Sequence, residues 1–278
     1  MAIPPWKPEE TAFCRQKALT KEDMHNRIFQ CKHFVVRQCA DVHPVGTDGL
    51  LLGAWADVRD IRCALDVGTG TGLIALQLAQ RTQGMQPTVH IHAVDLSTAA
   101  RCCAEVNFRH SPWADRLSVV GDDIVPYAAQ APRSYDLIAV NPPFHTEQIF
   151  SPQPQRHRSR HAHFLSSASL IKAARQLLSP HGRLCAIASP VSTRLLVQQG
   201  AVGGLYLTRL TEVYSRPNRP VERYLVQLEQ DPYPFERSQV SIWTETGEYA
   251  PTYRALTSEF LLDKDGQCAG RPVADSGP

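Results

Sequence analysis

The sequence predicts a doubly wound α/β fold, with a mostly parallel seven-stranded sheet that ends in an antiparallel hairpin. Three observations predict it. From about residue 61, short runs rich in β-branched and apolar residues alternate with stretches of helical spacing. A glycine-rich turn directly follows the first of these runs. Near the C-terminus, two β-like runs are joined by a linker too short to hold a crossover helix.

The alternating runs account for the parallel part of the sheet. Neighbouring parallel strands need crossover connections, so we expect these runs to be strands separated by helices. Ser97 can cap a helix that continues to about Arg109, and Pro180-His181-Gly182 ends another helix before the strand at Arg183. The predicted strands cover residues 61–67, 89–95, 117–120, 135–140 and 183–188.

The C-terminal part predicts a change of strand direction. Residues 206–214 and 224–228 are β-like, and Ser215-Arg216-Pro217-Asn218-Arg219-Pro220 lies between them, which favours an antiparallel hairpin. A last helix is expected over residues 251–262. With 278 residues, the chain has room for one principal domain. We predict a flexible N-terminal arm over residues 1–30, the domain over 31–262 and a disordered tail over 263–278.

The composition is that of an ordinary globular protein, with 43% hydrophobic and 20% charged residues. No apolar run approaches the roughly 20 residues of a membrane span, and the N-terminus lacks a signal-peptide core, so we expect a soluble, cytoplasmic monomer. The eight cysteines include no C-x-x-C pair, which favours neither a zinc site nor a disulfide framework, and no metal is expected.

Charge is distributed unevenly along the chain. Residues 148–211 contain no Asp or Glu but eight basic residues, which favours a polyanionic partner such as RNA. The alternative is that buried strands in this stretch simply exclude carboxylates. The basic residues are Arg156, Arg158, Arg160, Lys172, Arg175, Arg183, Arg194 and Arg209.

The glycine-rich turn Asp66-Val67-Gly68-Thr69-Gly70-Thr71-Gly72 predicts a cofactor site where the first strand meets the first crossover helix. Dinucleotide enzymes use G-x-G-x-x-G to seat a diphosphate, whereas the spacing here is G-x-G-x-G. A carboxylate at Asp66 would repel a diphosphate but suits the cationic amino acid end of S-adenosylmethionine. We therefore expect Asp66, Gly68, Gly70 and Gly72 to bind that cofactor.

Two further carboxylates follow the next two strands. Asp95 ends the second strand, where a carboxylate can accept both ribose hydroxyls, and Asp123 follows the third strand, in position to accept from the adenine amino group. For any one Asp alone, a helix cap or a solvated residue at a strand end is the better explanation. Three carboxylates at successive strand ends favour a ligand site at the carboxyl edge of the sheet.

Asn141-Pro142-Pro143-Phe144 follows the fourth strand at the same edge and predicts the chemistry. The Asn141 side-chain oxygen and the Pro142 carbonyl can accept the two hydrogens of a planar amino group and aim its lone pair at a sulfonium methyl, so Asn141 also touches the cofactor. Phe144 offers a face on which a flipped base can stack. The pattern indicates methyl transfer to a planar amino nitrogen, and the alternative is an ordinary Asn-Pro turn.

Taken together, the motifs resemble those of the bacterial tRNA1(Val) adenine-37 N6-methyltransferase family, over most of residues 32–262. The resemblance implies a Rossmann-like class I methyltransferase fold, S-adenosylmethionine as cofactor and tRNA as substrate. It rests on Phe34-Val35-Val36, on Val45-Gly46-Thr47-Asp48-Gly49-Leu50-Leu51-Leu52-Gly53-Ala54-Trp55-Ala56, on the glycine-rich turn, on Asn141 to Phe144, and on Arg156 with Arg160-His161.

The resemblance also implies roles for residues outside the two central motifs. Thr47 and Asp48 would lie over the methionine part of the cofactor. Arg156, Arg158, Arg160 and His161 would form a loop that contacts RNA phosphates, although an arginine run is often only a solvated surface. Two positions depart from the family pattern: Pro44 replaces a basic residue, and Phe144 stands where many members have Tyr.

Three other functions share part of this pattern. A ribosomal RNA guanine-N2 methyltransferase would use the same Asn-Pro-Pro-Phe acceptors, but residues 45–56 argue against it. A protein glutamine N5-methyltransferase would use them on an amide, yet would not need the arginine cluster. A non-enzymatic RNA-binding module would not retain both halves of a methyl-transfer site.

Overall fold

The computed structural model describes residues 28–39, 41–130, 135–142, 165–232 and 234–262. Its first element is an antiparallel hairpin of strands β1 (Ile28–Gln30) and β2 (Val35–Arg37). Residues 28–30 belong to the predicted arm but pair with β2, so these three residues form part of a strand pair in the structure. Residues 1–27 of the arm and the tail 263–278 lie outside the described residues.

The described part of the central sheet contains eight strands rather than the seven expected. In space their order is β10-β8-β9-β7-β6-β3-β4-β5. The strands from β7 through β5 run parallel, as predicted. In chain order, the eight strands are β3 (Cys63–Val67), β4 (His90–Val94), β5 (Leu117–Gly121), β6 (Tyr135–Val140), β7 (Leu178–Ala188), β8 (Tyr206–Tyr214), β9 (Val221–Glu229) and β10 (Glu236–Ser241).

The strand order reverses next to β3. From β3 the chain continues to β4 and β5 on one side, and then crosses to β6 and β7 on the other. Crossover connections therefore leave β3 and β6 in opposite directions, which opens a crevice at their carboxyl ends. The glycine-rich turn and Asn141 both lie at this switch point, because they directly follow β3 and β6.

Helices cover both faces of the sheet, because strands with apolar residues on both sides need both faces buried. The first, second, third and last described helices share one apolar core with the sheet, and the other three share a second core on the opposite face. The helices are α1 (Thr47–Trp55), α2 (Leu73–Arg81), α3 (Thr98–Arg109), α4 (Ile124–Gln130), α5 (Ser167–Leu177), α6 (Pro190–Val202) and α7 (Pro251–Thr257).

Helix α3 shows one predicted feature, its cap, and one contact that the sequence did not predict. The Ser97 side chain accepts a hydrogen bond from the Ala100 N–H, so Ser97 caps α3 as predicted. Asn107 of α3 ties the N-terminal hairpin to the domain, since its amide accepts from the Arg37 N–H (2.9 Å) and donates to the carbonyls of Arg37 and Thr71.

The C-terminal strands include the predicted hairpin. Strands β8 and β9 pair antiparallel, and β9 also pairs antiparallel with β7. The additional strand, β10, pairs parallel with β8 at the sheet edge. The sequence did not indicate this strand because Glu236-Arg237-Ser238-Gln239 is polar and mostly exposed, as an edge strand can be.

Two predicted boundaries are wrong by five residues. Strand β7 starts at Leu178 rather than Arg183, and its pairing with β6 shifts register across Pro180-His181-Gly182, so this tripeptide lies within the strand and α5 has already ended at Leu177. Helix α7 ends at Thr257 rather than residue 262, and the Phe260 carbonyl that follows accepts from the Lys32 N–H instead.

Candidate functional site

The turn between β3 and α2 adopts the left-handed backbone that its glycines permit. Gly68, Gly70 and Gly72 have φ angles of 71°, 56° and 83°. At Gly72 the α3 helix also comes close, because an added Cβ would lie 2.7 Å from Cε1 of Phe108 and 3.4 Å from Cα of Ala104. The spacing of the glycines therefore reflects both turn geometry and tight packing of the turn against α3.

Asp66 is fully buried beneath this turn. Its Oδ2 accepts hydrogen bonds from the Thr69 hydroxyl (2.7 Å) and from the Ala75 N–H (3.2 Å). Its Oδ1 is buried without a hydrogen-bond partner among the described residues. Burial raises the pKa of the Asp66 carboxyl to about 7, although the two hydrogen bonds partly oppose this rise. The buried carboxyl group thus has one oxygen whose hydrogen-bonding capacity is unused by the described residues.

Asp95 joins the glycine-rich turn to the start of α3. Its Oδ2 accepts from the Gly70 N–H (2.9 Å), and its Oδ1 accepts from the Ser97 N–H (2.8 Å). Because each carboxylate oxygen can accept more than one hydrogen bond, both retain capacity for a hydroxyl group. Arg101 donates to the Asp95 and Leu96 carbonyls, which further holds this strand end in place.

Asp123 lies after β5 at the same edge, but its carboxylate is engaged locally. Its Oδ1 accepts from the Val125 N–H (2.9 Å), which caps the first turn of α4. The neighbouring Asp122 is exposed, and its Oδ1 accepts from the Asp123 N–H (2.8 Å). The structure thus places two adjacent carboxylates at this strand end, and the sequence reasoning selected only the one that caps the helix.

Asn141 and Pro142 directly follow β6 and are partly buried. The first turn of α1 packs beside Asn141: a Cβ added at Gly49 would lie 3.9 Å from Nδ2 of Asn141 and 3.3 Å from Cδ2 of Leu73. Residues 45–56 and the Asn-Pro motif, which are far apart in sequence, therefore meet at the switch point. Pro143 and Phe144 lie outside the described residues.

Thr47 and Asp48 form the first turn of α1, where Thr47 is exposed. Oδ2 of Asp48 accepts a hydrogen bond from Nε of Arg223 on β9 (2.9 Å), and both side chains are partly exposed. The sequence reasoning did not identify Arg223. No local pattern could have identified it, because the two residues are 175 positions apart and meet only through the order of the strands.

Several predicted features lie beyond what the structure describes. The cluster Arg156, Arg158, Arg160 and His161 falls outside the described residues.

Pro44 is exposed just before Val45, whose N–H donates to Oε1 of Gln38. Within the described ranges, no group of three or more His, Cys, Asp or Glu side chains could hold a metal ion. The described helices include none that is both long and apolar enough to cross a membrane.

The arrangement can hold a ligand with one cationic group and several hydroxyl groups along the carboxyl ends of β3 and β4, and Asn141 lies on the other side of β3. Comparison with known proteins agrees with this geometry. The sequence profile of the family "Methyltransferase small domain" matches residues 45–196. That match includes the glycine-rich turn and Asn141.

Individual relatives match nearly the whole chain. A "tRNA1(Val) (adenine(37)-N6)-methyltransferase" from Trichodesmium erythraeum is 36% identical over 239 residues, which cover 86% of this chain and 99% of that protein. A protein of the same name from Musicola paradisiaca is 38% identical over 243 residues, covering 86% and 96%. Among solved structures, a predicted O-methyltransferase from Agrobacterium tumefaciens superposes with a TM-score of 0.58 at 20% identity, covering 77% of this chain and 96% of that one, and shares the fold.

Proposed function

Because the chain belongs to the tRNA1(Val) (adenine(37)-N6)-methyltransferase family, we propose that it transfers a methyl group from S-adenosylmethionine to the exocyclic N6 of an adenine in tRNA. We further propose adenine 37 in the anticodon loop of tRNA1(Val) as the target. The observation that carries the proposal is the position of Asn141, at the switch point between the glycine-rich turn and the first turn of α1. A planar amine bound there would face the methyl end of a cofactor seated on the turn.

The described residues fit this cofactor. Oδ1 of Asp66 has no hydrogen-bond partner among the described residues. The cationic amino group of S-adenosylmethionine would supply one. Such a cation would also lower the raised pKa of Asp66, since it favours the ionised carboxylate. Asp95 has acceptor capacity for ribose hydroxyls, and Asp123 or its neighbour Asp122 lies where an adenine amino group would end. The cofactor supplies an activated methyl group on a sulfonium.

The remaining chemistry belongs to the protein. An exocyclic amino group of adenine is a poor nucleophile because its lone pair is delocalised into the ring. We propose that the Asn141 side-chain oxygen and the Pro142 carbonyl each accept one N–H of that group, which localises the lone pair and orients it for in-line attack. Proline at residues 142 and 143 restricts the backbone that holds these acceptors. Phe144 would stack against the flipped base. The proton leaves to water after transfer, so no strong base is required.

Thr47 and Asp48 complete the proposed cofactor site. Their place in the first turn of α1, beside Asn141, supports a role in covering the amino acid end of the cofactor. The ion pair between Asp48 and Arg223 would hold this turn in position. Arg223 would then act through Asp48 as a positioning residue.

The proposed RNA contact is the cluster of residues 156–161, which follows the Asn-Pro-Pro-Phe motif in sequence. If its arginines contact phosphates, replacing all three with Ala should weaken tRNA binding and flatten its salt dependence by up to roughly 0.9 in log–log slope per lost contact. Cofactor affinity, measured calorimetrically, should not change. An unchanged slope together with unchanged tRNA affinity would remove the cluster from the interface. The arginines are Arg156, Arg158 and Arg160, and His161 lies beside them.

The direct test is nucleoside mass spectrometry. Purified protein is incubated with S-adenosylmethionine and with tRNA from cells that lack the gene, and the tRNA is then digested. We expect N6-methyladenosine to appear with wild-type protein and to be nearly absent with Asn141→Ala. Appearance of N2-methylguanosine would contradict the choice of base and support the guanine-N2 alternative. Transfer to a protein glutamine, but not to tRNA, would contradict an RNA substrate.

We also propose that the protein acts as a monomer in the cytoplasm, where its tRNA substrate is found. Light scattering coupled to size-exclusion chromatography should give a mass near 30.9 kDa. A stable dimer at the concentrations used for activity measurements would contradict this.

A further inference from the structure

The hairpin between β8 and β9 projects from the edge of the sheet that carries the proposed active site. Strand β9 runs antiparallel to both β7 and β8, so β8 and β7 point the same way. The end of β8 therefore lies at the same edge as Asn141, at the end of β6. We refer to residues 215–220, which join β8 to β9, as the hairpin tip.

The hairpin tip is offset from Asn141 both across and along the strands. Two steps along the strand order, β6 to β7 and β7 to β9, separate Asn141 from one side of the tip, and a third step reaches β8. Neighbouring strands are about 4.8 Å apart, so the tip is offset from Asn141 by roughly 10 to 14 Å across the strands. The pairing places Asn141 level with about Thr211, so the tip also lies roughly 13 Å or more further along the strand direction. A stacked strand of nucleic acid rises about 3.4 Å per nucleotide, so roughly six nucleotides would span the combined offset of about 20 Å.

The conformation of the tip is well supported by its neighbours. The Arg219 N–H donates to the Arg216 carbonyl, and Asn218 between them has a left-handed φ of 61°. On the β10 side, the N–H groups of Ile242 and Trp243 donate to the carbonyls of Tyr214 and Ser215, both at 2.9 Å. Pro217 and Pro220 restrict the backbone further. A tip that is already ordered loses little conformational entropy when it binds a ligand.

The arginines near the tip divide into two groups. Arg223 pairs with Asp48, and Arg237 pairs with Glu212. Arg216 and Arg219, by contrast, are exposed and form no ion pair with a carboxylate of the described residues. Their guanidinium groups are therefore available to an external anion without the cost of breaking a salt bridge.

These two arginines line an open concavity of about 450 Å³. Its lining also contains one acidic residue, Glu222, which opposes anion binding. The two arginines and this glutamate give the lining a net charge of +1. The guanidinium group can bind two phosphate oxygens at once, which suits it to a nucleic acid backbone. The full lining is Ser215, Arg216, Arg219, Pro220, Val221 and Glu222.

We propose that the hairpin tip is an RNA contact in which Arg216 and Arg219 bind backbone phosphates about six nucleotides from the base held at Asn141. This inference rests on the proposed function, because it takes the substrate to be an RNA. It adds a contact on the opposite side of Asn141 from the cofactor turn, since β7, β9 and β8 lie on one side of β6 and β3 lies on the other. An RNA strand crossing this edge of the sheet would then be held both at Asn141 and at the hairpin tip.

The test compares three double variants in tRNA binding over a range of salt concentrations. Arg216→Ala/Arg219→Ala removes the proposed contacts, and Arg216→Lys/Arg219→Lys keeps both charges. The matched control, Arg62→Ala/Lys172→Ala, also removes two exposed charges. Arg62 precedes β3 at the opposite edge of the sheet, and Lys172 lies in the middle of α5.

For the alanine pair, we expect the plot of log affinity against log salt to become less steep. The magnitude of its negative slope should decrease by about 1.4 if the contacts are to single-stranded RNA, and by about 1.8 if they are to a duplex. Near 0.15 M salt this corresponds to roughly fifteen- to thirtyfold weaker binding, if the two contacts contribute nothing at 1 M salt. The lysine pair should keep the slope close to that of wild type, and so should the control. Cofactor affinity in the same preparations reports whether each variant is folded.

Two results would overturn the inference. One is a slope and an affinity in the alanine pair that equal those of wild type. The other is an equal loss in the control, which would indicate an effect of net charge alone. Failure of the proposed function is a different result, because wild-type protein would then neither bind nor methylate tRNA. A wild type that methylates tRNA, with an alanine pair that binds normally, contradicts only the role of the hairpin tip.

Discussion

Replacing Gly72 with Ala tests whether the glycine-rich turn is limited by backbone conformation alone or also by packing. Gly72 has a φ of 83°, and placing an L-residue there costs roughly 1–2 kcal/mol. The new Cβ would also lie 2.7 Å from Cε1 of Phe108. Phe108 is buried, and the nearest atom outside its ring is the backbone Cα of Ala104 at 3.4 Å, so neither can easily move away. Overpacking of this kind costs about 1–3 kcal/mol more.

Gly68 supplies a matched control within the same turn. Its φ is 71°, but a Cβ added there meets no atom within 4 Å. Gly68→Ala should therefore lower the free energy of unfolding by only about 1–2 kcal/mol, whereas Gly72→Ala should lower it by about 2–5 kcal/mol. Urea denaturation at equilibrium measures both values on a total stability of typically 5–15 kcal/mol.

A second substitution isolates the contribution of packing at Gly72. Phe108→Leu removes the ring atoms nearest to the new Cβ, so Gly72→Ala should destabilise the Phe108→Leu protein less than it destabilises wild type. Equal destabilisation by Gly72→Ala and Gly68→Ala in the wild-type background would refute the packing argument. It would leave backbone conformation as the whole reason for glycine at residue 72.

Three further predictions concern the chemistry of the site. Asp95→Ala should weaken S-adenosylmethionine binding by roughly 1.5–3 kcal/mol, the range for hydrogen bonds to a charged group, and unchanged calorimetric affinity in a folded variant would remove Asp95 from the cofactor site. Asn141→Ala should leave cofactor affinity nearly intact but slow single-turnover methyl transfer at least about a hundredfold, and a rate close to wild type would show that its contact does not matter in the transition state. The pKa of Asp66 is about 7 in the folded protein, compared with an ordinary value of 3.8. Between these two pH values the folded state binds more protons than the unfolded state, so Asp66 makes the free energy of unfolding fall as pH rises from about 4 to 7. Asp66→Asn should therefore show a flatter fall in the free energy of unfolding over that window, measured by urea denaturation at each pH, and equal slopes would mean that Asp66 does not titrate there.

Much of the fold and of the site could be predicted because the relevant patterns are local. The spacing of Gly68, Gly70 and Gly72 encodes one turn, and the apolar runs encode buried parallel strands. Once the strands are parallel, the residues that follow them must gather at one edge of the sheet. Asp66, Asp95 and Asn141 could be placed in one region on that argument, and the structure places them there.

Other features could not be read from local patterns. The polar strand β10 is held by pairing with β8 and by the docking of α7, neither of which leaves an apolar signature in residues 236–239. The use of Asp123 as a cap for α4, next to an exposed Asp122, depends on where that helix begins. Either carboxylate satisfied the sequence pattern equally well.

The sequence by itself determined the class of fold, the glycine-rich turn and the position of the Asn-Pro motif after the fourth predicted strand, because each is encoded within a few consecutive residues or a regular alternation. The tertiary structure decided which distant residues meet. It brings Arg223 to Asp48 and Gly49 beside Asn141, and it sets the hairpin tip with Arg216 and Arg219 at the active edge. It also buries Asp66 deeply enough to raise its pKa. These outcomes depend on strand order and on exclusion of water, which are properties of the assembled sheet and not of any one segment.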